Sequence, residues 1–314
     1  MTYPPGARPA PPQPYRWTLS RARDGRRPDR LGALAGGAEP PRLWFLPELT
    51  DCAGKVLARS GGADPCFVGR SLDSMYDLLS GAFEGSSWDG RLLRLPLSLR
   101  VSRAGLDAAH TRRLREHLAA AGLAPYDLAR RTRPVALVDV VDAGTTYDVL
   151  HGALAGWAAE CREPWPVIRR KLRFVGVTIR GRTSPNTWRW QQHTDGGWAR
   201  ALPSGHAVSV SLDVRVWAYL GNDQDKLQPS FPPRRWFDEW AAEPWHRPGL
   251  PSALAESLAL VEAGRGRAVR EDLIRVIGAE PGFADRNVRA LVAPLRRQSR
   301  ARSSMTGRSR SSRP

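Results

Sequence analysis

The chain has 314 residues, with 48 lysines and arginines against 31 acids, for a net charge of +17. That length can bury a full α/β core, and its three cysteines, at 52, 66 and 161, follow neither disulfide nor metal-ligand spacing, which makes a reducing cytoplasm the expected location. No apolar run is long enough to span a bilayer, and the Pro/Arg-rich start lacks the apolar core of a signal peptide, so a soluble protein is expected.

Residues 1–40 carry seven arginines against Asp24, Asp29 and Glu39, and residues 296–314 carry seven arginines and no acid. Both ends are rich in Pro, Gly or Ser and poor in apolar residues, and read as disordered tails. Such tails can contact nucleic acid weakly through counterion release. Against a selected basic patch stands the near-absence of lysine: Lys55, Lys171 and Lys226 are the only three. Folded structure is expected from Arg42–Leu46, a short edge element, followed by a loop at Gly61 and Gly62. Strands are then expected at Cys66–Val68, Leu92–Leu99, Val135–Val141, Phe174–Ile179 and Val208–Leu212. Helical spacing falls at Leu72–Phe83, Ala104–Ala121 and Tyr147–Ala159. This alternation predicts a parallel sheet flanked by helices over 41–220. After Gly221 the pattern changes to Pro-punctuated helices at 235–240, 252–262, 267–277 and 284–295, a helical appendage over 221–295.

The richest stretch runs from Pro134 to Tyr147. The β-branched run Val135–Val141 reads as a strand covered on both faces, interrupted near its carboxyl end by Asp139. Asp142 follows in the turn. Gly144 allows a sharp reversal, and Thr145 and Thr146 offer hydroxyls and amides at the first turn of a helix, an arrangement suited to an anion. Open α/β sheets bind ligands at that edge. A simpler role for Asp142 is to cap the helix. The segment Asp64–Gly81 repeats the theme of strand, tight turn and helix, with Gly69, Arg70 and Ser71 in the turn. A guanidinium there can fork two hydrogen bonds onto phosphate, or can be one surface arginine among many.

These two segments resemble the type I phosphoribosyltransferases, whose hallmark is a strand, an acidic pair and a Gly-Thr loop. The resemblance implies a phosphoribosyltransferase-like sheet with a hood. It assigns the ribose of phosphoribosyl pyrophosphate to Asp139, its 5-phosphate to Ala143, Gly144, Thr145 and Thr146, and its pyrophosphate to Gly69, Arg70 and Ser71. Asp142 falls where the hypoxanthine-guanine branch has its general base. Val138 departs from the pattern, standing where the family usually has the first acid. The implied activity is that of a magnesium-dependent pentosyltransferase acting on a nitrogenous acceptor, with Mg²⁺ carried by phosphoribosyl pyrophosphate rather than by protein ligands. Homodimers are common in the family. Members without catalysis sense phosphoribosyl pyrophosphate or a nucleotide, and Val138 keeps that alternative open, with basic tails touching nucleic acid.

Phe174–Gln192 leads into what would be the hood. Trp188 and Trp190 alternate there, so one face can stack an acceptor ring; the competing role is packing a small core. The six histidines form no triad-like or zinc-like cluster.

Overall fold

The computed structural model describes residues 11–19, 34, 39–100, 105–181 and 189–296. In chain order these form α1 (Leu46–Arg59), β1 (Asp64–Val68), α2 (Asp73–Phe83), β2 (Leu93–Leu95), α3 (Ala108–Ala120), α4 (Pro125–Arg130), β3 (Val135–Val140), α5 (Thr145–Glu160), α6 (Trp165–Lys171) and β4 (Leu172–Ile179). Then come α7 (Trp198–Ala201), β5 (Ala207–Leu212), α8 (Val214–Ala218), α9 (Leu250–Arg265), α10 (Arg267–Ala279) and a last helix, α11, over 286–296. The chain divides into two compact units: one of residues 1–17, 63–72 and 93–247, the other of residues 18–62, 73–92 and 248–314.

The first unit holds a five-stranded, all-parallel sheet in the order β2-β1-β3-β4-β5. The class is therefore α/β with a parallel sheet flanked by helices. Its central strands are buried along most of their length on both faces, in keeping with their largely apolar composition. Val135, Leu137, Leu172 and Phe174 are fully buried, each contributing about 1.5–3 kcal/mol by leaving water. Tyr147 on α5 pins the helix to the sheet, its hydroxyl lying 2.8 Å from the Val175 carbonyl and 3.2 Å from that of Leu137.

The second unit is helical. Its α2 and α9 cross at two glycines. A Cβ at Gly81 would stand 2.0 Å from the Val261 carbonyl oxygen, and one at Gly264 2.0 Å from that of Leu78. Arg265, 2% exposed, is held by both Glu84 oxygens at 2.6 Å and by Glu262 at 2.5 Å.

Several expectations change here. Arg42–Leu46 is not an edge strand but a turn running into α1, whose Pro47 sits in the first turn, where proline costs no hydrogen bond. The strand expected over 92–99 shrinks to three residues, because Leu97 N–H turns to the Leu95 carbonyl and Ser98 N–H to that of Phe231. Residues 235–240 form short 3-10 turns rather than a helix. The two units also divide the chain differently from a sheet domain over 41–220 with an appendage over 221–295: α1 and α2 belong with α9 and α10. Within the stretch expected to be a tail, Trp17 is 8% exposed and Tyr15 N–H bonds the Ala241 carbonyl. The tail segments 1–10 and 297–314 lie outside the described residues. Among the described residues, no helix is long and apolar enough to cross a membrane.

Candidate functional site

In the order 2-1-3-4-5 the sheet reverses its winding between β1 and β3, and the loops leaving those strands diverge to open a crevice. A cavity of about 400 Å³ lies there, within the sheet unit. Its walls come from the turn after β1 (Gly69–Ser71), the loop after β2 (Pro96–Arg100), the end of β3 with its turn (Asp139–Thr146), and a later segment that includes Trp217, Gln224 and Lys226. Two stretches singled out in sequence, some 70 residues apart, thus face one space.

Each wall has a local cause. Gly69 adopts φ +68° as its amide bonds the Leu95 carbonyl, reversing the chain directly after β1. Arg70 is anchored through Nη1 to the Gln228 carbonyl at 3.1 Å. Gly144 is the N-cap of α5 in the left-handed region, φ +90°. Its carbonyl accepts the amides of Tyr147 and Asp148, so those of Thr145 and Thr146 precede the first intrahelical bonds. The N-cap position of α5 is Gly144, two residues after Asp142, and Asp142 is exposed at the turn and lines the cavity.

Asp139 is the buried acid of the site, 7% exposed, with Oδ1 accepting the Val140 amide at 2.8 Å. Burial pushes its carboxyl up to about 8, against the opposing pull of that amide, the Thr146 hydroxyl and the Arg100 guanidinium. At neutral pH it is largely protonated. Val138, one residue earlier, is fully buried and pairs across β1 and β4.

For Trp190 the packing role holds and the stacking role does not. It is fully buried in the unit's core, its ring 5.0 Å from that of Tyr147, and so presents no face to an acceptor. It works as a floor instead. A Cβ on Gly144 would meet its Cε3 at 3.3 Å, and one on Gly176 would meet its Nε1 at 2.5 Å. Trp188 lies outside the described residues. The aromatic that does line the cavity while half-buried is Trp217, fixed by its indole N–H to the Val177 carbonyl at 3.1 Å.

Sequence reasoning also passed over Arg100 and Lys226. Lys226, 6% exposed, donates to the Leu220 carbonyl at 2.8 Å and to the Gln224 side-chain oxygen, and reaches the Ser71 carbonyl at 3.4 Å. Its rarity was the available signal, since it is one of three lysines. The position of Trp217, one helical turn beyond the carboxyl end of β5, was another.

The donor set does not suit a protein-held magnesium ion. Among the described residues no group of three or more His, Cys, Asp or Glu converges on a point. Asp139 and Asp142 are the acids of the lining, the first largely neutral, and they share it with three cations. Comparison with family models, with curated proteins and with solved structures found no match to this chain.

Proposed function

We propose that the sheet unit binds phosphoribosyl pyrophosphate in this cavity and transfers its ribose 5-phosphate to a nitrogenous acceptor. The observation that carries the reading is the convergence of the Gly69–Ser71 turn and the Asp139–Thr146 turn on one crevice at the point where the sheet reverses. The 5-phosphate would sit on the Ala143–Thr146 turn, where amides and the positive end of α5 meet it. Asp139 would hold the ribose hydroxyls from the cavity floor. The pyrophosphate would leave against Gly69–Ser71, with Arg70 balancing the charge that develops as the glycosidic bond lengthens. Asp142, at the rim, would accept the acceptor's proton, and Trp217 offers the acceptor ring a flat partner. Such catalysis is positioning and electrostatics rather than covalent chemistry.

One observation favours a second reading, a sensor of phosphoribosyl pyrophosphate without turnover. Val138 stands where the resembled family has its first acid, and it is fully buried between β1 and β4.

Calorimetric titration of phosphoribosyl pyrophosphate into the full chain tests both. Binding that is lost in Gly144→Val, with the melting of the variant followed alongside, supports the site. Pyrophosphate release on adding nucleobases selects the transferase, and binding without release selects the sensor. No binding to a folded protein overturns both.

A further inference from the structure

Resting on that reading, we infer that the cavity takes its diphosphate-bearing ligand as the free anion, clamped by Arg70, Arg100 and Lys226, with no divalent cation as intermediary. The three cations reach the lining from three separate segments: the turn after β1, the loop after β2 and the stretch following α8. In an arginine-rich chain, surface guanidinium groups are common, but Lys226 is not a surface cation. Burying an ammonium is costly unless its charge has a use, and this one is held in the wall by carbonyl oxygens beside the very turn assigned to pyrophosphate.

The acids argue the same way from the other side. A divalent cation carried in on the ligand's phosphates keeps its waters and is steadied in such a site by one or two protein carboxylates and a local field that favours it. Here the position that would supply one carboxylate is Val138, packed between strands, and Asp139 spends one oxygen on the Val140 amide. Asp142 lies exposed at the rim. A lining whose three cations outnumber its two acids repels a free divalent ion and attracts a polyanion. In this chain the clamp takes over the charge neutralisation that a bridging metal would provide.

The test is calorimetry on the full chain with inorganic pyrophosphate and with phosphoribosyl pyrophosphate, each in EDTA and in excess Mg²⁺. The expected result is affinity in EDTA within about threefold of that with Mg²⁺. Lys226→Met and Arg100→Met are each expected to weaken EDTA binding by about tenfold or more, Lys226 through the loss of its charge, since its three N–H groups are turned to Leu220, Gln224 and Ser71, and Arg100 through the loss of charge and contact together. Should Lys226→Met fail to fold, the exposed Arg100 carries the comparison alone. Binding that requires Mg²⁺ overturns the clamp and leaves the proposed function standing. Binding in EDTA that is indifferent to both substitutions also overturns it. No binding under either condition removes the proposed function and the clamp together.

Discussion

Glycine does different work in the two units. In the helical unit Gly81 and Gly264 let α2 and α9 meet backbone on backbone, with a neighbour's carbonyl where a side chain would begin. In the sheet unit Gly144 and Gly176 make room for a ring, that of Trp190, which lies beneath the turn opening α5. A carbonyl within a helix cannot step aside, whereas an indole can tilt. The first contact therefore sets stability, and the second sets the height and slope of a loop that lines the cavity. Charge follows the same division. Arg265 is closed off by Glu84 and Glu262, while Arg70 and Lys226 are tied to neutral carbonyls and line the cavity.

The largest expected effect follows from this difference. Gly264→Val should destabilise the protein by about 3 kcal/mol or more, since overpacking against backbone has no cheap relaxation. Urea unfolding followed by circular dichroism measures it. Gly176→Ala should cost less, about 1–2 kcal/mol, because the indole can yield; its larger effect should be on ligand affinity, through the displaced floor. Equal stability losses with unchanged affinity in Gly176→Ala would break the comparison.

Next in size is the pH dependence of stability, where two buried groups oppose each other. Asp139 is raised from its ordinary value to about 8, so the folded state holds a proton that the unfolded chain releases near pH 4. Its stabilisation is complete below about pH 4 and is lost as pH rises through about 8. His117 is the reverse case. It is fully buried, edge-on to Phe231 and Trp236, with neither ring nitrogen hydrogen-bonded, and burial with the nearby Arg113 charge lowers it to about 4. The unfolded chain takes up that proton near pH 6.5, so His117 contributes stability above about 6.5 that is lost as pH falls towards 4. Together they predict a nearly flat profile from about pH 4 to 6.5 and a decline from there to about 8, at most about 1.4 kcal/mol per unit. Asp139→Asn should remove the decline, and His117→Leu should uncover a falling slope at acid pH. A decline that persists in Asp139→Asn would show that Asp139 is not the group responsible.

The parts of this molecule legible in sequence are those with a local cause. Strand β3 and its turn could be read because a β-branched run, an acid and Gly-Thr-Thr each force the backbone one way; the strand's bounds agree to within a residue, and α5 opens two residues earlier than expected, at Thr145. Helix α1 was hidden by Trp44-Phe45, which mimics an edge strand; Leu49, Cys52, Ala53, Val56 and Leu57 bury one helical face beyond it. The division into units was not legible at all. It rests on α2 meeting α9 across nearly 180 residues of sequence, through two glycines that look like ordinary helix weaknesses. At the cavity the two turns were found, whereas Arg100, Trp217 and Lys226 were not, since no motif announces a side chain supplied by a later loop. For Trp190 the sequence left stacking and core packing open, and packing holds; alternation of two tryptophans cannot say which of them points inward.

The smallest effect sharpens the pH argument. The Thr146 hydroxyl is one of the groups that favour ionised Asp139, and it does so from the first turn of α5 without contributing to the unit's core. Thr146→Val keeps the β-branched shape and removes that donor. The midpoint of the alkaline decline should then move upward from about 8, by about one unit or less, because a hydrogen bond to the charged form has been withdrawn. Stability near pH 6, where Asp139 is already protonated, should change by less than about 1 kcal/mol. An unmoved midpoint would mean that the hydroxyl donates elsewhere, leaving the proton on Asp139 to burial, the Val140 amide and Arg100, and Arg100→Met should then still raise the midpoint; a midpoint that moves down would mean that the hydroxyl accepts from the protonated carboxyl.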